Sequence, residues 1–158
     1  MLWGEKPYYS LDYYLKQTFG SKTYKASLDA GFTCPNRDGT IGRGGCIFCS
    51  RGGSGEFAGS RALSITEQID SQIEKLGSFH AKQYIAYYQA FTNTYADLDY
   101  LRRVYELLFY MKRLRWWILR QDQTCVGEDV VSLLCEYSKE AVWVELGLSD
   151  NTRGHGSL

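Results

Sequence analysis

Apolar and polar positions along this chain follow two periods that alternate from start to end. Tyr9 to Phe19 carries apolar residues at helical spacing and is ended by Gly20, which predicts a short helix. Lys22 to Leu28 alternates loosely and predicts a strand. Ser64 and Glu67 stand at the spacing of a capping box, and Ile69, Ile73 and Leu76 then share one face of the predicted helix behind them. Tyr84 to Ala90 reads as a buried strand. Leu98, Leu101, Val104 and Leu108 form the stripe of a helix over Asp97–Tyr110. Asp129 to Tyr137 predicts another helix, and Ala141 to Leu148 another strand. Met111 to Thr124 fits neither period.

Strands that alternate with helices argue for an α/β fold built from βα units on a parallel sheet, open or rolled into a barrel. Functional loops in such folds sit at the carboxyl ends of the strands. The stretch Asp29–Arg61 follows the first predicted strand, is rich in glycine and has no sustained period, so it is expected to be a long loop. Loops of this length inside a compact domain are usually functional.

Composition narrows the picture. The 158 residues are 44% hydrophobic and 23% charged, which suits one folded domain and not a disordered chain. The formal net charge is zero, so there is no basic excess for broad phosphate neutralisation. No apolar run is long enough to span a bilayer, and Met1–Ser10 lacks the charged-then-apolar pattern of a secretory leader. A cytoplasmic location is the expectation. The five cysteines are then poor disulfide candidates, and their clustering points to metal or catalysis.

Three of them fall in the long loop: Cys34, eleven residues, then Cys46-Ile47-Phe48-Cys49. A Cys-x-x-Cys pair brings two thiolates to one metal centre. Three thiols in a Gly-rich loop are poor candidates for simple burial. Zinc takes four ligands, and Cys125, Cys135, His80 and His155 all lack motif spacing for the fourth place. A four-iron cluster held by three cysteines keeps one iron open to a small molecule. Gly39, Gly42, Gly44 and Gly45 give the loop freedom to wrap a cluster. Arg37 and Arg43 read equally well as charge-balancing residues and as solvated ones.

The run from Lys25 through Cys34-Pro35-Asn36-Arg37-Asp38-Gly39 to Gly44-Gly45-Cys46-Ile47-Phe48-Cys49 resembles the YhcC-like group of bacterial radical S-adenosylmethionine (radical SAM) proteins. Tyr88-Gln89-Ala90-Phe91-Thr92-Asn93-Thr94-Tyr95-Ala96 and Val142-Trp143-Val144-Glu145-Leu146-Gly147-Leu148 carry the same resemblance. It implies a parallel (β/α) barrel, incomplete at its C-terminal end, and a [4Fe–4S] cluster on Cys34, Cys46 and Cys49. It implies SAM bound at the open iron, reductive cleavage to a 5′-deoxyadenosyl radical, and an electron donor such as flavodoxin or ferredoxin. Phe48, Gln89, Thr92, Asn93 and Glu145 are the implied SAM contacts. The substrate is not readable; RNA enters by analogy with other members alone. A zinc- or RNA-binding module that uses the cysteine loop and the Trp/Arg segment is the alternative.

The resemblance stops between Tyr110 and Cys125, where Trp116 and Trp117 stand among basic residues. Read one base earlier, permitted codons for residues 111–124 give Glu-Ala-Leu-Lys-Val-Val-Asp-Phe-Ala-Thr-Arg-Pro-Asp, a helix end, a strand and a turn of the group's type. Residues 149–158, read one base later, likewise continue the group's pattern. Both segments are expected to be out of frame, and the chain to be a truncated copy with exposed strand edges and doubtful turnover. The two tryptophans would still suit a strand, whereas Arg113, Arg115 and Arg120 are hard to bury unpaired.

Overall fold

A computed structural model describes residues 2–77, 82–110, 114–137 and 142–147. The expected out-of-frame residues 111–113 and 149–158 lie outside this set, as do His80 and His155. The elements run α1 (Leu11–Phe19), β1 (Thr23–Leu28), α2 (Pro35–Asp38), α3 (Ile65–Gly77), β2 (Gln83–Tyr88), α4 (Leu98–Glu106), β3 (Leu114–Asp122), α5 (Glu128–Glu136) and β4 (Val142–Gly147). The four strands form one parallel sheet in the order β1-β2-β3-β4, so the chain is α/β as expected.

The helix boundaries follow from local chemistry. Ser10 accepts the Tyr13 N–H through its side chain at the start of α1, and Gly20 ends that helix at φ 70°. The expected capping box is made: Ser64 Oγ accepts the Glu67 N–H at 3.3 Å, and Glu67 Oε2 accepts the Ser64 N–H at 2.8 Å. Asp97 caps α4 in the same manner. The helix expected over Asp97–Tyr110 holds α geometry to Glu106 and tightens to a 3-10 turn over Leu107–Tyr110.

The segment without a clean pattern becomes β3, between two other strands. Trp116, Trp117, Ile118 and Leu119 are apolar on both faces, as a covered parallel strand requires, so no alternation is left to read. Trp117 and Leu119 face one layer; Trp116 and Ile118 face the other. Tyr84 pairs with Leu114 and Ile85 with Trp116, so the register slips by one residue at the start of the strand.

Two apolar layers flank the sheet. Leu28, Ala86, Tyr88, Trp117 and Leu119 meet Ile65 and Ile69 of α3, Leu101, Val104 and Tyr105 of α4, and Val130 and Leu133 of α5. On the opposite face Ile85 and Ile118 meet Leu15 of α1, with Tyr14, Phe19, Trp116 and Trp143 packed around them. This second face is concave. Lys25 of β1 reaches Glu145 of β4 at 2.9 Å, although three strand spacings in a flat sheet come to about 14 Å. Tyr87 of β2 closes the group, donating its hydroxyl to Glu145 at 2.8 Å with Lys25 Nζ 4.1 Å from its ring centre. Burial, and then the Glu145 carboxylate, raise the Tyr87 phenol above its ordinary value, so it remains a donor. No helix among the described residues is long and apolar enough to cross a membrane.

Candidate functional site

The long loop that follows β1 is closed at its base. Asp29 and Arg61 form an ion pair at 3.0 Å, and Arg61 also donates to the Phe32 carbonyl at 3.2 Å. Gln68, 1% exposed, accepts the Asp29 N–H and donates to the Asp29 and Leu63 carbonyls, at 2.9, 2.9 and 3.0 Å. A loop of 33 residues, 29–61, thereby starts and ends at one place beside β1.

Within it, Pro35 begins the single turn of α2, whose carbonyl at Cys34 accepts the N–H groups of Arg37 and Asp38 at 2.8 and 3.1 Å. Gly39 stops the turn at φ 102°. The Cys46–Cys49 pair folds back onto it. The Gly45 N–H reaches the Asn36 carbonyl at 2.8 Å, and the Cys49 N–H reaches the Cys46 carbonyl at 2.9 Å. Arg37 fastens the two halves, because its guanidinium donates to the carbonyls of Cys49 and Arg51, each at 3.2 Å, and to that of Ser50. Arg37 is therefore not a merely solvated side chain: it clamps the two halves of the loop.

Phe91 shapes the other wall. It sits at φ 61°, donates its N–H to the Gly53 carbonyl at 3.0 Å, and lies between the guanidinium carbons of Arg37 and Arg61 at 5.6 and 5.3 Å from its ring centre. Gly53 passes so close that a Cβ there would come within 2.6 Å of the ring.

These pieces enclose an open cavity of about 530 Å³, mouth included, at the carboxyl ends of the strands. Cys34, Cys46 and Cys49 all line it, with Arg37, Phe48 and Gly53 from the same loop. Phe91 and Thr92 come from the end of β2, Arg120 from β3 and Gly147 from β4. The three cysteines are partly buried and none is in a disulfide. No group of three His, Cys, Asp or Glu side chains among the described residues is drawn together at single-ion distance.

The expected small-molecule contacts divide. Phe48, 67% exposed, and Thr92 line the cavity; Gln89, Asn93 and Glu145 do not. Asn93 instead stitches the sheet ends together. Its Nδ2 donates to the Tyr88 and Arg120 carbonyls at 3.0 and 2.6 Å, and its own carbonyl accepts the Tyr105 hydroxyl at 2.6 Å. Thr94 donates to the Cys125 carbonyl at 2.6 Å. Glu145 is engaged by Lys25 and Tyr87 on the concave face. Trp116 and Trp117, the candidate stacking pair, are packed into the two faces of the sheet. Gly53, Phe91, Arg120 and Gly147 were missed. A strand end at Arg120 was the one signal available, and it was hidden because β3 itself has no readable alternation.

The chain is similar to YtqA and YhcC. It is 43% identical to YtqA of Bacillus subtilis over 149 residues, which cover 91% of this chain and 45% of that protein. It is 40% identical to YhcC of Escherichia coli K12 over 136 residues, 85% of this chain and 43% of that one. MJ0486 of Methanocaldococcus jannaschii is 27% identical over 140 residues, 85% and 42% of the two chains. The chain therefore spans somewhat under half the length of these relatives. No protein-family model matches it, and no solved structure does.

Proposed function

We propose that Cys34, Cys46 and Cys49 hold a [4Fe–4S] cluster in this cavity and that S-adenosylmethionine binds beside it, on a sheet that curls as part of a (β/α) barrel of the radical SAM type. One observation carries the reading: three cysteines spread over 16 residues line one open cavity at the carboxyl ends of four parallel strands. The donor set suits such a cluster. It is three thiols with no further metal-ligating side chain in the wall among the described residues, which leaves one cluster iron for a small molecule. A four-iron cluster also holds its ligands farther apart than a single ion does, in keeping with thiols that share a cavity without converging on one point. The ion pair across β1 and β4 supports the curl.

Held there by Cys34, Cys46 and Cys49, the cluster would supply one-electron chemistry for the reductive cleavage of SAM, its electron coming from an external donor such as flavodoxin or ferredoxin. The residues of the chain contribute position and shielding. Arg37 holds the Cys46–Cys49 turn against α2 through three carbonyls, and so fixes the spacing of the thiols. Phe48, exposed beside Cys49, offers an aromatic face to an adenine. Thr92 places its side chain at the cavity wall while its N–H is tied to the Thr33 carbonyl at 3.1 Å. Two guanidinium groups in the wall offset the negative charge of thiolates and cluster.

Anaerobic reconstitution with iron and sulfide tests the reading. About four irons per chain, a broad visible iron–sulfur absorbance, and loss of both in Cys34→Ala are the expected results. Zinc in place of iron, or a folded protein that takes up neither, refutes it.

A further inference from the structure

The turn behind the Cys46–Cys49 pair reads Gly52-Gly53-Ser54-Gly55. Space requires two of its glycines. A Cβ at Gly53 would come within 2.6 Å of the Phe91 ring, and one at Gly55 would lie 2.7 Å from the Ala90 Cβ and 2.9 Å from the Gly52 carbonyl. Ser54 stands between them at φ 63°, in the left-handed region that glycine takes without strain and other residues avoid. A side chain is kept at a position whose backbone favours none. Non-glycine residues held in that region collect at functional sites, where their surroundings enforce them.

The Ser54 hydroxyl is directed to a thiol. Ser54 Oγ lies 3.8 Å from Cys49 Sγ, and both residues are partly buried. Other bonds fix the two ends of this contact. The Ser54 N–H donates to Ser50 Oγ at 3.1 Å. The Ser50 hydroxyl in turn serves the Glu56 carboxylate, and is the first cause that holds that group below its ordinary value. On the other side Arg37 grips the Cys49 carbonyl at 3.2 Å.

Either atom of the pair can donate while Cys49 is a thiol. A cysteine that binds iron does so as a thiolate and has no proton left, so the hydroxyl then becomes the donor. Reduction adds negative charge to a cluster and its ligand sulfurs. A donor aimed at such a sulfur therefore stabilises the reduced form more than the oxidised one. We propose that Ser54 tunes the cluster: its hydroxyl donates to Cys49 Sγ and raises the reduction potential, which eases one-electron reduction by the external donor. This rests on the function proposed above. Arg37 and Ser54 then have separate tasks. The first sets where the Cys46–Cys49 turn lies, and the second sets how readily the sulfur at its end takes up charge.

The test compares reconstituted wild type, Ser54→Ala and Ser54→Gly without SAM. Redox titration is followed by visible absorbance and by EPR of the reduced cluster, with iron content measured alongside. Ser54→Ala removes the hydroxyl and keeps the strained backbone, whereas Ser54→Gly removes both. Loss of one hydrogen bond should make reduction about threefold to tenfold less favourable, a fall of about 30–59 mV for a one-electron couple. The fall should be equal in the two variants, at unchanged iron content. A wild-type potential in Ser54→Ala would overturn the proposal with the cluster reading intact. A shift in Ser54→Gly alone would assign the effect to the backbone and overturn it too. Loss of iron in Ser54→Ala would make Ser54 a structural residue of the loop, with the same result. Wild-type protein that takes up zinc, or no metal, would defeat the cluster reading and this proposal together.

Discussion

Gln68→Met tests whether the base of the cysteine loop is held from α3. The substitution keeps the length and apolar stem of the side chain and removes its amide. Three hydrogen bonds go with it, at 2.9, 2.9 and 3.0 Å, and the Asp29 N–H, Asp29 carbonyl and Leu63 carbonyl lose their partner. An unsatisfied buried group costs about 1–3 kcal/mol, and a net hydrogen bond about 0.5–1.5 kcal/mol. Asp29 lies at the edge of solvent, so water recovers part of the loss, and the expected destabilisation is about 2–4 kcal/mol. For a domain of this size that lowers Tm by roughly 5–12 °C. No compensating collapse is available, because the loop backbone already abuts this side chain: a Cβ at Gly59 would lie 2.5 Å from Gln68 Oε1. Urea unfolding with an unchanged m-value measures the stability term. Limited proteolysis should show cleavage between residues 29 and 61 well before the midpoint, since the loop is released first. A change below about 0.5 kcal/mol, or destabilisation with the loop as protected as in wild type, would refute the argument that Gln68 anchors the site.

Three further outcomes follow from particular contacts. Gly53→Ala places a Cβ 2.6–2.8 Å from the Phe91 ring at φ 61°, so it should lower stability by about 1–3 kcal/mol and reduce iron uptake after reconstitution; calorimetry and iron analysis check the two separately. The Glu67 carboxyl is held below its ordinary value of 4.5 by the Ser64 hydroxyl and then the Ser64 N–H. Its contribution to α3 is therefore complete above that value and lost as pH falls below it, and amide exchange at the start of α3 should rise on acidification in wild type but not in Glu67→Gln. Lys25→Met should cost under about 1 kcal/mol, because the pair is 28% and 39% exposed and Tyr87 still serves Glu145; chemical denaturation at low and high salt gives the value.

Most of the element order was legible along the chain. The Ser64–Glu67 box, the stripe through Leu101 and Val104, and the apolar run at Tyr84 are local signals, each contained in a dozen residues or fewer. β3 was the exception. Its Trp116–Leu119 core is covered on both faces, so it has no alternation, and the basic residues around it disguise a strand that lies between two others. With β3 went Arg120, whose place in the wall depends on knowing where that strand ends.

Sequence by itself determined the thiol set, since Cys34 and the Cys46–Cys49 pair belong to one loop whose glycines set its turns. It also determined an α/β chain with that loop after the first strand, because hydrophobic period and chain order are properties of neighbours. Tertiary structure alone decided which side chains meet the thiols. The curl of the sheet brings Lys25 to Glu145 and takes Glu145 out of the cavity wall, while Asn93 is drawn inward to bond the ends of β2 and β3. It also decided that the Arg37 guanidinium would be spent on the carbonyls of Cys49, Ser50 and Arg51. Those outcomes depend on distances between residues up to 120 positions apart, and no local pattern encodes such distances.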